Sequence, residues 1–299
     1  MPEVGLLAIC PIPYPPLLGS GLSLLFQALF WSWMPGAFWL IYVESRSPQP
    51  TSWLRLALTF VAGALSVGGV NLFHSLVEVS EPVHPVGLLL YLCSVVGLLE
   101  ELCKLSAVML VAWPRRDFRE AWDGLSCASS AALGFATAEN FTYVLSAGNA
   151  NILLGRSVSA TFAHVAMSGI WGYALGLYRQ RQAGPWAVVE AIFWSAVFHG
   201  LYDWFLSLPW LPGALLVFGG LIVVFRQRLQ ESYFTSVRRK APSEVVRECQ
   251  SCRTLGRREY SFCPNCGESS WIEPSRCLAC LAECSEQADH CSACQRPLL

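Results

Sequence analysis

Seven apolar stretches, most of them long enough to cross a bilayer, constrain the fold of this chain more than any other feature. They cover residues 22–43, 56–76, 86–113, 125–146, 157–177, 186–206 and 211–225. A helix that crosses the roughly 30 Å hydrocarbon core needs about 20 mostly apolar residues. Charged residues make up 14% of the chain, against about 25% in soluble domains. We therefore expect an all-α, polytopic membrane helical bundle of about seven transmembrane helices.

The arginines between these stretches predict the orientation of the bundle. Loops on one side carry Arg46, Arg55, Arg115, Arg116, Arg119, Arg179, Arg181, Arg226 and Arg228, and the alternate loops carry Arg156 alone. Because cytoplasmic loops hold the excess of Lys and Arg, the pattern predicts an N-terminus outside and a C-terminal tail in the cytoplasm. We expect a multi-pass protein of the plasma membrane.

Three charged residues interrupt the third apolar stretch, at Glu100, Glu101 and Lys104. Each charge at the centre of a spanning helix costs about 2.5–3.5 kcal/mol on insertion scales. Adjacent helical positions diverge by about 100°, so one glutamate is expected to pair with Lys104 while the other faces a pocket. The spacing leaves open which glutamate does which.

Further polar residues lie at a compatible depth on three later helices. Glu139 is in the fourth apolar stretch and His164 in the fifth, while His199 and Asp203 are one helical turn apart in the sixth. Buried polar residues without a common role have no reason to share a depth. A water-filled intramembrane pocket explains the pattern.

These residue types suit hydrolysis. A carboxylate in such a pocket can activate water, and the histidines could bind a metal together with a glutamate or could stabilise an oxyanion without one. Asp203 would orient His199, and Glu139 could be a further ligand or support one. A proton-coupled transporter and a catalytically inactive scaffold are the alternatives. No inverted repeat of the transporter kind is visible in the sequence.

The same motifs resemble the PrsW-type intramembrane proteases, which are related to the CAAX-protease and bacteriocin-processing group. The resemblance runs from about residue 33 to residue 206, and the residues that carry it are Glu100-Glu101-x-x-Lys104, Asp123-Gly124, Gly134-Phe135, Glu139-Asn140, His164 and His199-x-x-x-Asp203. It implies membrane-embedded peptide-bond hydrolysis of a single-pass or other membrane protein, by a metalloprotease or a metal-independent glutamate protease. Bacterial members cut an anti-sigma factor. That substrate is not implied for this chain.

The tail contains nine of the 13 cysteines in a duplicated pattern. Cys249-x-x-Cys252 with Cys263-x-x-Cys266 forms one unit, and Cys277-x-x-Cys280 with Cys291-x-x-Cys294 repeats it at the same interval. Four thiolates at such spacing are typical of structural zinc sites. We expect two tandem four-cysteine zinc ribbons, each binding one zinc ion.

Two further residues leave the second unit ambiguous. Cys284 is an additional thiol, and His290 beside Cys291 could replace a ligand. Repetition of the first unit favours Cys277, Cys280, Cys291 and Cys294. A disulfide framework is disfavoured because the tail is predicted to lie in a reducing compartment.

The chain thus divides into a protease-like helical domain at residues 1–225, a basic linker at 226–247, zinc ribbon 1 at 248–268 and zinc ribbon 2 at 275–296. The ribbons carry mixed charge, which disfavours nucleic acid and favours a cytoplasmic protein partner. The lipid bilayer is the surrounding partner of the helical domain. The sequence leaves open whether the membrane site holds a catalytic divalent metal.

Overall fold

A computed structural model describes residues 21–47, 51–77, 80–147, 153–236, 245–257, 260–278, 282–285, 288–293 and 296–298. The chain divides into two compact units, Met1–Thr235 and Ser236–Leu299. The first is helical and the second contains short strands.

Helices occupy all seven of the predicted apolar stretches. They are α1 (Gly21–Ser45), α2 (Trp53–Leu76), α3 (Pro85–Tyr91), α4 (Leu98–Val111), α5 (Ala121–Ala147), α6 (Leu153–Arg179), α7 (Pro185–Ser207) and α8 (Leu211–Thr235). A π-helical turn, Leu92–Gly97, joins α3 to α4 as one rod. The all-α fold of the first unit is therefore confirmed.

Three helical segments among the described residues are long and apolar enough to cross a membrane by length and composition. They are Trp53–Leu76, Pro85–Val111 and Leu211–Tyr233. Large apolar side chains cover the outer faces of several helices, including Leu65, Leu110 and Leu216. A hydrocarbon environment tolerates such exposure, whereas water does not.

Three details differ from the sequence prediction. The last helix continues past residue 225 to Thr235, so the basic segment begins as helix. Arg156 lies within α6 and not in a loop. Arg55 lies in α2, where it is buried and paired with Asp123 at 2.9 Å and Asp117 at 3.1 Å. Arg55, whose charge contributes to the predicted orientation of the bundle, is therefore neutralised inside the protein.

Helix α5 lies at the centre of the bundle and packs against α1, α2, α4, α6 and α8. Its sequence is rich in Ala, Ser and Gly, and Ala128, Ala131, Ala132 and Ala136 are buried. Small residues let helix backbones approach closely. The interfaces of α5 with its neighbours are correspondingly tight, since a Cβ on Gly134 would lie 2.8 Å from the backbone carbon of Phe60.

The π-helical turn lies against α7 at the level of His199. A Cβ on Gly200 would lie 2.4 Å from the Cys93 nitrogen, and one on Gly97 would lie 3.0 Å from the His199 Cβ. Only glycine therefore allows the two backbones this approach. Isolated π-turns of this kind are frequent at functional sites, and this one immediately precedes Glu100 and Glu101.

The second unit contains a three-stranded antiparallel sheet of order β2-β1-β3. Its strands are β1 (Val245–Cys249), β2 (Leu255–Arg257) and β3 (Trp271–Cys277). Val246 pairs with Arg257 on one side of β1 and with Arg276 on the other, and the register shifts between Val246 and Glu248. Two of the strands contribute cysteines of the duplicated pattern, since β1 ends at Cys249 and β3 ends at Cys277.

Candidate active site and cysteine centre

Lys104 joins both glutamates of the α4 motif inside the bundle. Its Nζ lies 2.8 Å from Glu101 Oε1 and 3.4 Å from Glu100 Oε2, and its side chain is fully buried. The ring of Phe135 lies beneath the ammonium at 4.4 Å. A buried cation with two carboxylates within reach offsets the repulsion between them.

The two glutamates differ in what surrounds them. Glu101 is completely buried, and its Oε2 accepts hydrogen bonds from Ser168 Oγ at 2.7 Å and Trp171 Nε1 at 2.8 Å. Its Oε1 meets Lys104 and, at 3.3 Å, His199 Nδ1. Every side of this carboxylate is thus occupied by a protein donor. The side chain of Glu100 keeps 10% exposure, so Glu100 is the less enclosed of the two glutamates.

Both histidines lie beside Glu100. Its Oε2 is 3.5 Å from His199 Nε2 and 4.0 Å from His164 Nδ1. The other nitrogen of each ring contacts a different carboxylate, because His164 Nε2 lies 2.9 Å from Glu139 Oε2 and His199 Nδ1 lies 3.3 Å from Glu101 Oε1. Each imidazole is therefore backed by a carboxylate on the side away from Glu100, an arrangement that fixes ring orientation.

Asp203 lies at the rim of this cluster. Its Oδ2 is 3.4 Å from His199 Nε2, and its side chain is 26% exposed. The structure thus brings together all seven predicted membrane-site residues, namely Glu100, Glu101, Lys104, Glu139, His164, His199 and Asp203.

Sequence reasoning missed several members of the cluster. Ser168 and Trp171 lie four and seven residues after His164 on α6, a helical spacing that could have revealed them. Arg156, assigned to a loop, instead pairs with Glu139 at 3.1 Å. The sequence contained one sign of this pairing. Arg156 is the single arginine in the loops predicted to lie outside, where positive charge is not expected.

The membrane cluster fits a divalent metal in its donor chemistry. One atom each from Glu100, His164 and His199 lies within 4.8 Å of the others. Two imidazoles and one carboxylate form a common ligand set of catalytic zinc. Donor atoms of a tetrahedral zinc site lie about 3.3 Å apart, and the observed separations of 3.5 and 4.0 Å are close to this value. Lys104 Nζ lies 2.9 Å from His164 Nδ1, so it would have to move away from this nitrogen for His164 to bind a metal.

The first cysteine unit gathers four thiols at metal-binding distance. Cys249 Sγ lies 3.6 Å from Cys266 Sγ, and Cys252 Sγ lies 3.5 Å from Cys263 Sγ. Zinc–sulfur bonds of about 2.3 Å in a tetrahedron place sulfurs about 3.8 Å apart. A hydrogen bond with the Thr254 hydroxyl lowers the pKa of the Cys252 thiol to about 5, which favours the thiolate form that zinc binds. None of the four forms a disulfide.

Backbone hydrogen bonds repeat at the first cysteine of every Cys-x-x-Cys pair. In each case its N–H donates to the carbonyl five residues later, which is Thr254 for Cys249, Glu268 for Cys263, Ala282 for Cys277 and Arg296 for Cys291. Residues that follow the first two pairs, Arg253 and Gly267, both have positive φ. The same backbone hydrogen bond therefore occurs in both units, and the two pairs of the first unit also share the positive φ.

The second unit brings Cys284 next to two of the predicted ligands. Cys277, Cys284 and Cys291 are buried together in one small cluster with Ala282 and Leu298. Cys280 and Cys294 lie outside the described residues. His290 is exposed and pairs with Pro297 through its backbone.

The fold and the membrane cluster together define a class. This is a helical membrane protein with a buried constellation of carboxylates, histidines and one lysine, of the composition found in metal-dependent hydrolases. The chain matches the model of the PrsW family intramembrane metalloprotease over residues 50–227. It belongs to that family.

Several relatives carry the same family name. Protease PrsW of Geobacillus kaustophilus is 33% identical over 114 residues, which cover 37% of this chain and 49% of the relative. Protease PrsW of Bacillus subtilis is 31% identical over 114 residues, 37% of this chain and 51% of the relative. These two matches span about half of each relative.

A longer match is to Protease PrsW of Clostridioides difficile, 25% identical over 203 residues, which cover 66% of this chain and 84% of the relative. No solved structure matches the chain. The cysteine-rich unit begins after residue 227, where the family match ends.

Proposed function

We propose that this chain is an intramembrane metallopeptidase that hydrolyses a peptide bond of a membrane protein at a centre formed by Glu100, His164 and His199. One observation carries the proposal, namely that Glu100 faces both histidines while each histidine is held from behind by a separate carboxylate. Packing alone needs far fewer buried charges. Catalysis needs groups held in fixed positions.

Glu100, His164 and His199 would hold the metal. When bound, a divalent cation there would lower the pKa of a coordinated water towards neutrality and polarise the scissile carbonyl. Glu100 is the carboxylate available to the metal, because Glu101 already has donors on both oxygens. Asp203, which lies on the rim 3.4 Å from His199 Nε2, would take a proton from the attacking water and pass it to the leaving amine.

The remaining residues act by orienting those three. Glu101 holds the His199 ring and Glu139 holds the His164 ring. Lys104 offsets the charge of Glu100 and Glu101, so that two carboxylates coexist in a site without water around them.

The substrate that suits a centre enclosed by apolar helices is a protein segment within or beside the bilayer. The arginine distribution supports an N-terminus outside and a C-terminal tail in the cytoplasm of a plasma-membrane protein. Residues 1–225 form the hydrolytic domain in this proposal.

The tail contributes two structural zinc ions and a docking surface. Residues 248–268 form ribbon 1 and residues 275–296 form ribbon 2, after a basic linker at 226–247. Thiolate coordination replaces the core that about 20 residues cannot build. The mixed charge of both ribbons suits a cytoplasmic protein partner more than nucleic acid.

The decisive experiment uses purified full-length protein in proteoliposomes with a single-pass membrane protein. Glu100→Gln should lower cleavage by at least about 100-fold, because it removes a ligand of the proposed metal or, in a metal-independent protease, the acid–base group. The matched control is Glu190→Gln, since Glu190 is exposed on α7. Undiminished cleavage by Glu100→Gln removes the site assignment. Uptake driven by a pH gradient without any proteolysis would instead establish a transporter.

Metal content tests the metal independently of substrate. Wild-type protein should carry about three metal ions per chain, two in the ribbons and one in the membrane site. The double variant His164→Ala/His199→Ala should lose about one. An unchanged count would leave Glu100 as the general base of a metal-independent protease.

A further inference from the structure

Arg156 is bound from three directions by one stretch of α5. One guanidinium nitrogen lies 3.1 Å from Glu139 Oε2, and Nε donates to Asn140 Oδ1 at 2.9 Å. The Tyr143 ring stacks on the guanidinium with 3.7 Å between the Cζ atom and the ring centroid. Because the planar fork and the stack together fix the guanidinium, Arg156 fixes the Glu139 carboxylate in turn.

Glu139 Oε2 is shared between Arg156 and His164. The same oxygen that meets the guanidinium lies 2.9 Å from His164 Nε2. Arginine keeps its positive charge in proteins, and a carboxylate that pairs with it accepts hydrogen bonds without donating one. His164 must therefore donate from Nε2, which leaves the lone pair on Nδ1.

The opposite side of the ring requires the same tautomer. His164 Nδ1 lies 2.9 Å from Lys104 Nζ, and an ammonium group can only donate. Nδ1 is also the nitrogen nearer to Glu100, at 4.0 Å. Two neighbours on opposite sides of the imidazole thus place the proton on Nε2 and the lone pair towards Glu100.

We propose that Arg156 is a positioning residue that, through Glu139, holds His164 in the Nε2–H tautomer, so that Nδ1 is the nitrogen with which His164 acts. His199 works the other way round, with Nδ1 towards Glu101 and Nε2 towards Glu100. The consequence for catalysis depends on the proposed peptidase function. The assignment of the His164 tautomer does not depend on that function.

Nitrogen-15 NMR of histidine-labelled full-length protein in micelles reads the tautomer without any substrate. His164→Gln identifies the His164 signals by their loss. Wild-type His164 should show a protonated Nε2 and an unprotonated Nδ1, whether Nδ1 is free or metal-bound. A protonated Nδ1 in the wild type, including a doubly protonated ring, overturns the proposal.

Variants then test the role of Arg156. Arg156→Gln should weaken the hydrogen bond from Nε2–H to Glu139 and shift the Nε2 signal of His164, while Nε2 stays protonated because Lys104 still donates to Nδ1. Arg156→Lys should recover most of the wild-type pattern because it restores a cation beside Glu139. The matched control is Arg228→Gln, which removes a partly exposed arginine that pairs with Glu231 on α8 and lies over the Tyr173 ring, and which should leave the His164 signals unchanged. A folded Arg156→Gln protein with the wild-type pattern contradicts the proposal.

Kinetics supply the second readout. Residues that support a ligand typically contribute about 10–100-fold, so Arg156→Gln should lower kcat by about that factor with little change in KM. The double variant Arg156→Gln/Glu139→Gln should be about as slow as either single variant, since both act through His164. If wild-type protein cleaves nothing while the tautomer is as stated, the peptidase proposal fails and the positioning role stands. Fully additive losses in kcat overturn the positioning role.

Discussion

Trp171 Nε1 donates a hydrogen bond to Glu101 Oε2 at 2.8 Å. This bond joins α6 to α4 at a point where both side chains are completely buried. Together with the Ser168 hydroxyl, Trp171 occupies one oxygen of Glu101, while Lys104 and His199 occupy the other. In the proposed function the adjacent glutamates therefore have separate tasks, since Glu101 orders the site while Glu100 remains available to bind the metal.

This division predicts that replacing Glu101 lowers the stability of the protein much more than replacing Glu100 does. Glu101→Gln turns an amide NH2 towards either Trp171 and Ser168 or Lys104 and His199, so donor meets donor inside the protein. Breaking a buried pair costs about 3–5 kcal/mol. We expect a clearly lowered thermal unfolding midpoint in detergent. Glu100→Gln, as matched control, should unfold near the wild-type temperature because Glu100 has fewer close partners. Equal midpoints for both variants would contradict the division of tasks.

Two buried serines on neighbouring helices allow a finer comparison. Ser168 donates to the Glu101 carboxylate at 2.7 Å, whereas Ser195 donates to the neutral Met167 carbonyl. Hydrogen bonds to charged groups contribute about 1.5–3 kcal/mol and neutral ones about 0.5–1.5 kcal/mol. Ser168→Ala should therefore destabilise the protein more than Ser195→Ala does. Chemical unfolding followed by tryptophan fluorescence measures both, and the reverse order would show that Ser168 is not needed to satisfy Glu101.

The number and type of helices could be predicted from hydropathy, because each apolar stretch must satisfy its own backbone hydrogen bonds within a membrane. Proximity of Glu100, Glu139, His164 and His199 could also be predicted from their shared depth. The separate tasks of Glu100 and Glu101 could not, since they depend on which helix packs against which face of α4. Ser168 and Trp171 lie on α6 and donate to Glu101, and these contacts distinguish Glu101 from Glu100.

Helix ends were the weaker part of the prediction. Arg156 and Arg55 resembled loop charges because they border apolar stretches, yet both lie inside helices and pair with carboxylates that are buried or partly buried. A helix predicted from hydropathy ends at the first charged residue that borders its apolar stretch. An arginine with a partner across the bundle can instead be buried, because the pair is desolvated together.

Glycine packing beneath the site yields a third prediction. Gly200→Ala would place a methyl group 2.4 Å from the Cys93 nitrogen, and the backbone there cannot yield as a flexible side chain could. We expect α7 to move away from the π-helical turn and to displace His199, with cleavage falling by about 100-fold, as a misplacement of about 1 Å can cause. Gly219→Ala in α8 is the matched control, since nothing lies within 4 Å of the added Cβ. That control should retain activity and gain up to about 1 kcal/mol of helix stability. A fully active Gly200→Ala protein would show that the close approach is dispensable.

Metal removal from the cysteine unit gives the fourth prediction. Cys263→Ser removes one of four thiols that lie within 4.8 Å of one another, and we expect the zinc content to fall by about one ion per chain. Zinc-binding energy is largely folding energy in units of this size, so ribbon 1 should become sensitive to protease. Cys103→Ser, which alters a partly buried thiol of α4, is the control and should leave zinc content unchanged. A full zinc complement in Cys263→Ser would exclude this tetrad as a metal site.

The fifth prediction concerns which cysteines bind zinc in the second ribbon, because Cys284 lies in the same buried cluster as Cys277 and Cys291. Repetition of the first unit makes Cys280 and Cys294 the remaining ligands, and the matching backbone bonds from Cys277 to Ala282 and from Cys291 to Arg296 support that choice. We expect Cys280→Ser to lower the zinc content by about one ion, and Cys284→Ser to leave it unchanged while slightly loosening the packing around the site. Zinc counting on both full-length variants, with reactive-thiol titration in the presence of zinc, checks the assignment. Loss of zinc in Cys284→Ser with retention in Cys280→Ser would reverse the assignment. The second unit would then bind its metal with a cysteine spacing different from that of the first unit, despite the repeated backbone hydrogen bonds.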